Sequence, residues 1–252
     1  MRKLSVVSII ALLALAALPA AAADRVIYNG VDLWNTPGGG TTFANFARNP
    51  IPAGFFCEKS EPFSGRIVFR GVPVATGTPG TLGKTDTIVQ RLDDAVFNKN
   101  GVAVTRVQVR AMTFESVAPV ATACGPFNVK VTLDGEQPIT RMRIFSDGRF
   151  LAPISVNVKI GFTPVSGRAR EILEIRKSLR FPAQPKARWS AKFALDKPAH
   201  PGVILVDTDG DRVPDTYLPG TSNFSAGAAR SKTLYDQPVL LCHESDCSHC
   251  TG

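Results

Sequence analysis

Three long stretches of this 252-residue chain alternate strictly between apolar and polar residues, and this alternation constrains the fold more than any other feature. Successive side chains of a β-strand point to opposite faces of the sheet, so a period of two separates core residues from solvent-facing residues. A helix would instead need apolar residues three and four positions apart. The alternation therefore predicts strands, whose inward residues are Val107, Val109 and Ala111 in the first stretch, Phe127, Val129, Val131 and Leu133 in the second, and Val156, Val158, Ile160 and Phe162 in the third.

Shorter alternating runs, with turn signals between them, extend this pattern over residues 63–200. Asp134-Gly135 and Asp147-Gly148 are dipeptides typical of tight turns between antiparallel strands. Only residues 82–98 and 167–177 leave room for a helical turn. We therefore predict an all-β fold whose body is an antiparallel β-sandwich, either one large unit or two small stacked units divided near residue 135.

The first 23 residues have the three parts of a secretory signal peptide. Arg2 and Lys3 supply the positive start, residues 6–18 the apolar stretch, and the alanines at 20–23 the small residues of a cleavage site. This apolar stretch is shorter than the roughly 20 residues that a membrane-spanning helix needs. We therefore expect cleavage before Asp24, no transmembrane helix in the mature chain, and export to the periplasm, the cell surface or the exterior.

Residues 24–62 combine turn-forming residues with aromatic ones. Glycine and proline interrupt regular elements, whereas the aromatic side chains need burial. We expect an irregular segment that lies over the body of the fold.

An acidic loop lies within residues 201–219, between two short apolar runs. Its carboxylates occupy relative positions 1, 3, 5 and 9, and a backbone carbonyl lies at position 7. Such a half-shell of oxygen atoms suits a hard cation that takes six to eight oxygen ligands, and calcium is the natural occupant. The alternative is a solvated acidic turn that joins two strands. The predicted calcium ligands are Asp207, Asp209, Asp211, the carbonyl of Val213, and Asp215.

This loop resembles the calcium loops of thrombospondin type-3 repeats and the hairpin loops of integrin-type FG-GAP repeats. The resemblance covers about nine residues and implies the four aspartates as side-chain ligands. Position 6, usually glycine because the turn wants a positive φ, is Arg212, which costs conformational energy and places a cation near the site. Position 12, an acid in helix-flanked calcium loops, is Leu218, which favours the hairpin version. We expect calcium to stabilise the hairpin and not to take part in catalysis.

Cys57 and Cys124 are the two isolated cysteines among the five. Cysteines of exported proteins usually pair, so we expect a disulfide between them that ties the N-terminal segment to the sandwich.

Residues 220–252 are predicted to form a flexible linker and a tail rich in cysteine and histidine. Three interpretations stay open: a disulfide within the tail, a zinc site of three thiolates and one imidazole, or an exposed reactive thiol. Either His243 or His249, but not both, would supply the imidazole, because adjacent residues such as Cys242 and His243 rarely bind the same ion. The possible zinc ligands that we single out are Cys242, Cys247, His249 and Cys250.

The chain carries a formal net charge of +8, and several cations fall on the outward parity of predicted strands. They could attract an anionic glycan or another anionic component of the cell envelope. Acids are interspersed and no aromatic stacking pattern accompanies the cations, which favours an ordinary solvated face, and we expect no nucleic-acid partner. The cations are Arg106, Arg110, Lys130, Arg141, Arg143 and Lys159.

Signatures of enzymes are almost lacking in the sequence. It has no nucleophile elbow, no zinc-protease helix motif, no P-loop and no dinucleotide-binding glycine pattern, and no histidine precedes residue 200. We therefore expect an exported, non-enzymatic β-sandwich protein, a binding or structural module stabilised by calcium and a disulfide. The alternatives are an extracellular hydrolase acting on carbohydrate or another polymer, with acids from separate loops, and a metal or redox function of the C-terminal tail.

Overall fold

The structure, a computed structural model, describes residues 25–34, 36, 42–74, 84–166, 172–181, 188–191, 203–219 and 224–227. The regular elements in these ranges are strands in antiparallel pairs, which confirms the predicted all-β antiparallel fold. The expected signal peptide and Cys/His tail lie outside the described residues. The prediction of a flexible linker is wrong at residues 224–227, which form a strand paired with residues 188–191. In chain order the strands are β1 (Val26–Ile27), β2 (Gly30–Trp34), β3 (Phe43–Asn45), β4 (Arg66–Gly71), β5 (Thr87–Arg91), β6 (Ala95–Val96), β7 (Val102–Ser116), β8 (Val120–Thr122), β9 (Gly125–Leu133), β10 (Thr140–Phe145), β11 (Phe150–Leu151), β12 (Ile154–Pro164), β13 (Leu173–Phe181), β14 (Arg188–Ala191), β15 (Val203–Val206), β16 (Thr216–Pro219) and β17 (Phe224–Gly227).

The long strand β7 joins two halves of an 11-stranded sheet whose main order is β11-β10-β7-β9-β12-β13. Its first part pairs with β10 and its last residues pair with β9. On its other side β7 pairs first with β5 and then with β4. The pairs β7–β10 and β9–β12 both connect strands on the two sides of residue 135, so the sheet is continuous across that position.

The predicted inward residues of β9 and β12 lie in the larger of two hydrophobic cores. Val131 of β9 and Val158 of β12 are completely buried, and their polar neighbours along each strand are more exposed. Burial of one face and solvation of the other is what the period of two predicts.

A bulge in β7 places Ala111 on the face of the strand opposite to the predicted one. The register between β5 and β7 shifts between Ile88 and Val89, so that Arg110 is an extra residue on β7. As a result Val109 belongs to the larger core, whereas Ala111 packs in the smaller core with Ile88. The prediction that Ala111 shares a face with Val107 and Val109 is therefore wrong, because one extra residue reverses the parity of the strand.

The N-terminal segment contains short strands as well as the expected turns. All five residues of β2 are buried, because the larger core covers one face of the strand and the smaller core covers the other. On the larger-core face, the Asp32 carboxylate forms an ion pair with the Arg91 guanidinium, which is itself completely buried. A strand that is covered on both faces shows no period of two, so its sequence gives no alternation to detect.

A disulfide joins Cys57 to Cys124, the pairing that the sequence analysis expects, with a Cα–Cα distance of 6.1 Å. Close to it, Phe55 and Phe56 both make edge-to-face contacts with Phe162 of β12, with ring centroids 5.5 and 5.3 Å apart. The disulfide and the aromatic contacts together fix the N-terminal segment on the sandwich.

The two stretches that left room for a helical turn contain strands where the structure describes them. Residues 84–98 include β5 and β6, and residues 173–177 belong to β13. No helix in the described parts of the chain has the length and apolarity needed to cross a membrane.

Candidate metal site

The acidic loop connects β15 and β16, which form a two-stranded hairpin outside the main sheet. Val206 and Leu218, one on each strand, are buried in the smaller core against residues of β2, β5 and β7. The hairpin therefore covers the second face of the sheet, and its position fixes the loop.

Three aspartates converge in this loop. One carboxylate oxygen each from Asp207, Asp209 and Asp211 lies within 4.8 Å of the other two. Asp207 is buried, with 4% of its surface exposed, whereas Asp209 and Asp211 are exposed. Calcium binds oxygen ligands at about 2.3 to 2.6 Å, so two oxygen atoms on opposite sides of the ion lie about 5 Å apart. The spacing and the donor type of these three residues fit calcium.

Backbone N–H groups of the loop hold these carboxylates in place. Oδ1 of Asp207 accepts a hydrogen bond from Gly210 N at 2.6 Å, and Oδ2 accepts one from Arg212 N at 2.8 Å. Further along, Asp209 accepts from Asp211 N at 3.1 Å, and Asp211 accepts from Val213 N at 2.6 Å. Each carboxylate oxygen has two lone pairs, so these bonds leave acceptor capacity for a cation.

The other two predicted ligands, Asp215 and the carbonyl of Val213, are not among the three converging carboxylates. Asp215 is not part of the group of three, and its Oδ1 accepts a hydrogen bond from the Thr216 hydroxyl at 2.9 Å. Val213 lies at the exposed tip of the hairpin. Their roles as ligands stay predictions.

Arg212 adopts the left-handed conformation that the spacing of the loop predicts for position 6. Its φ is 74°, and no other non-glycine residue in the described ranges has a positive φ. Gly210 has a φ of 81° in the same turn. Left-handed backbone favours glycine, so the loop keeps an arginine at a conformational cost.

The loop rests directly on β9 of the main sheet. Lys130 Nζ donates a hydrogen bond to the carbonyl oxygen of Gly210. A Cβ atom on Gly210 would lie 2.6 Å from Cγ2 of Thr132, which is too close. Hence the loop and the strand are in van der Waals contact at Gly210, and only glycine fits there without a shift.

Two cavities adjoin the loop. One, of about 630 Å³, lies between β4, β7 and β9 and is lined by Asp207, Gly210 and Arg212 from the loop side. The other, of about 440 Å³, lies beside Gln108 and Arg110 of β7 and is lined by Asp209 from the loop. The acidic loop therefore separates two concave surfaces.

Asp86, at the start of β5, is a completely buried acid outside the loop. Burial raises its pKa to about 6, although hydrogen bonds from Thr36 and Thr87 oppose the shift. The Thr36 N–H donates to Oδ2 at 2.6 Å, and the Thr87 hydroxyl donates to Oδ1 at 2.8 Å. The carboxyl group lies so close to Gly71 that a Cβ there would come within 1.7 Å of Oδ2. Asp86 is therefore enclosed by protein.

Most of the predicted outward cations have partners. Arg106 binds Asp93 through two hydrogen bonds of 2.7 and 2.8 Å, and Lys159 lies 3.7 Å from Glu174. Arg110 donates to the Gln108 side chain at 3.0 Å, and Lys130 bonds to the loop. Within the described ranges, acidic partners are seen neither for Arg141 nor for Arg143.

Sequence reasoning missed the residues through which the sheet contacts the loop. Lys130 was placed among solvent-facing cations, and Thr132 was not singled out. Their outward parity was correct, but a local pattern does not report that a distant hairpin covers that face. The predicted zinc ligands of the tail, Cys242, Cys247, His249 and Cys250, lie outside the described residues.

Comparison with known proteins gives no match for this chain among protein-family models, curated proteins or solved structures.

Proposed function

We propose that this protein is an exported, non-enzymatic β-sandwich that binds calcium at the Asp207 loop and acts as a binding or structural module of the cell surface, periplasm or exterior. One observation carries the proposal: oxygen atoms of Asp207, Asp209 and Asp211 lie within 4.8 Å of one another. This arrangement has the hard oxygen donors and the spacing that calcium prefers.

Electrostatics support a bound cation. Asp207 is almost fully buried beside two further carboxylates, and like charges at this distance repel. The N–H groups of Gly210 and Arg212 offset part of that repulsion at Asp207. A divalent ion would offset the remainder, with Val213 and Asp215 as candidate additional ligands.

A calcium ion here would have a structural role. The loop joins the two strands that carry Val206 and Leu218 into the smaller core, and Gly210 packs on Thr132. Fixing the loop would therefore hold the hairpin on the sheet. The Cys57–Cys124 disulfide would do the same for the N-terminal segment, and disulfides persist in oxidising compartments, which supports export.

The proposed partner is an anionic glycan or another anionic envelope component. Cleavage before Asp24 removes Arg2 and Lys3 and reduces the net charge from +8 to +6, which still favours an anionic partner. The exposed arginines Arg141 and Arg143 form no ion pair with an acid of the described residues.

Thermal unfolding with calcium and with EDTA tests the calcium site. We expect calcium to raise the unfolding temperature of the wild type, since a ligand at 100 times its Kd stabilises by about 2.7 kcal/mol. The double variant Asp209→Asn/Asp211→Asn should lose this response. Glu58→Gln/Glu61→Gln removes two exposed acids elsewhere and should keep it. Equal unfolding temperatures of the wild type in calcium and in EDTA would contradict the proposal.

A further inference from the structure

The cavity of about 630 Å³ beside the acidic loop has the size of a small-molecule binding site. Its walls come from β4 and β7 with the residues that follow each strand, from β9 and β12, and from the loop, so five segments of the chain meet there. Part of the lining is apolar, and Asn128 and Thr163 add polar groups that can bond to hydroxyls. The apolar lining residues outside the two hydrophobic cores are Val72, Pro73, Val117, Ala118 and Pro119.

The two acids that line this cavity already have partners within the protein. Glu115 accepts a hydrogen bond from Arg70 Nε at 2.7 Å, and the two are ion-paired. Asp207 accepts backbone N–H bonds on both of its oxygens. Lys130, also in the lining, donates to the Gly210 carbonyl. The lining therefore holds three cations, Arg70, Lys130 and Arg212, against these two acids, which is a surplus of one positive charge.

Arg212 carries that surplus. It is exposed, lines the cavity, and pairs with no acid of the described residues. The bond from its backbone N–H to Asp207 helps to fix the turn in which its φ is 74°. An L-residue in this conformation costs about 1 to 2 kcal/mol, which glycine would avoid. No hydrogen bond or ion pair with the described residues occupies the Arg212 guanidinium, so it can bond to a ligand in the cavity.

We propose that this cavity binds a small hydroxylated carboxylate, such as a hexuronic acid residue of a glycan, with Arg212 as the carboxylate anchor. A guanidinium matches a carboxylate through two parallel hydrogen bonds. Asn128 and Thr163 bind hydroxyls, and the valine and proline walls cover the apolar face of the sugar ring. This inference rests on the proposed binding role and names the ligand class and the place where it binds.

Titration of the full chain with D-glucuronate, followed by NMR or calorimetry, tests the inference. D-glucose is the neutral control ligand, and inorganic phosphate tests whether a different anion is preferred. We expect glucuronate to bind and both controls to bind at least about tenfold more weakly. Glucose lacks the carboxylate of the charge-assisted pair, and phosphate keeps that pair but lacks the sugar ring that Asn128, Thr163 and the apolar walls would contact.

Arg212→Gly separates binding from folding. It should weaken glucuronate binding by roughly tenfold or more, while the free energy of unfolding stays equal or rises because the left-handed strain is relieved. Arg180→Gln removes an exposed arginine on β13, outside the cavity, and should bind glucuronate like the wild type. Unchanged affinity in Arg212→Gly, no binding by the wild type, or equal binding of glucose or phosphate would overturn the inference.

The titration is run in calcium and in EDTA, so that the two proposals fail separately. Glucuronate binding without any effect of calcium on unfolding contradicts only the calcium site. A calcium-dependent unfolding temperature without glucuronate binding contradicts only the ligand assignment.

Discussion

Gly210, in the middle of the acidic loop, packs against Thr132 of β9 so closely that a Cβ atom on Gly210 would lie 2.6 Å from Thr132 Cγ2. The loop and the sheet are distant in sequence but share this contact and the hydrogen bond from Lys130. The acidic loop is thus part of the folded body, and changes in the contact should be felt in overall stability.

Gly210→Ala should destabilise the protein through that contact. Gly135, whose φ of 61° is also left-handed but which has open space around it, provides the matched control. We expect Gly135→Ala to cost about 1 kcal/mol of unfolding free energy for backbone strain alone. Gly210→Ala should cost about 1 to 3 kcal/mol more, because of overpacking. Urea unfolding in EDTA measures both, and Thr132→Ser added to Gly210→Ala should recover part of the loss. Equal costs for the two alanine variants would show that the loop does not rest on β9.

The buried ion pair Asp32–Arg91 should respond strongly to loss of one partner. Asp32→Asn leaves the Arg91 guanidinium buried without its counter-charge, which we expect to cost about 3 to 5 kcal/mol. Asp93→Asn breaks the solvent-exposed pair with Arg106 and should lower the unfolding free energy far less, because water and salt screen that pair. Denaturant unfolding of the two variants tests this ranking, and a similar small loss in both would contradict the burial of the first pair.

Asp86 should make stability depend on pH. Its pKa is raised by burial from 3.8 to about 6 in the folded protein, so the folded state binds a proton more tightly than the unfolded state. The stabilisation that comes from this tighter proton binding is fully present below about pH 4 and is lost as the pH rises through 6. The total loss of unfolding free energy is roughly 3 kcal/mol. Unfolding free energies of the wild type and Asp86→Asn, measured from pH 4 to pH 7.5, should therefore diverge in favour of the variant as the pH rises. Parallel pH profiles would count against a raised pKa.

The Cys57–Cys124 disulfide should contribute substantially to stability. It closes a loop with a sequence separation of 67, for which the chain-entropy estimate is about 4 kcal/mol. We expect Cys57→Ser/Cys124→Ser to lower the unfolding free energy by about 2 to 4 kcal/mol while the contacts of Phe55 and Phe56 with Phe162 keep the fold. Urea unfolding in a background of Cys242→Ser, Cys247→Ser and Cys250→Ser isolates this bond. An unfolding free energy that does not change would mean that the aromatic contacts alone hold the segment.

Local alternation was sufficient to predict the long strands β9 and β12, whose inward residues lie in the larger core. Val131 and Val158 are buried as their parity requires. The pattern failed at Ala111, because a bulge at Arg110 shows no sign in the sequence, and in β2, where burial of both faces removes the alternation. These features depend on pairing with other strands and not on the residues of one strand.

The sequence predicts only the part of the candidate site that depends on local spacing. The spacing of Asp207, Asp209 and Asp211 within one turn brings their carboxylates together, and a glycine-like conformation at Arg212 follows from that turn. The contact of Gly210 with Thr132 joins residues that are far apart in the chain, so no local spacing could predict it. The cavity next to Arg212 arises from the same packing.

Native mass spectrometry of the wild type and of Asp209→Ala/Asp211→Ala, in the presence of calcium, tests the central claim most directly. We expect the wild type to retain one calcium ion and the double variant to retain none, because two of the three convergent carboxylates are lost. The same number of bound calcium ions in both proteins would contradict the assignment of the Asp207 loop as the calcium site.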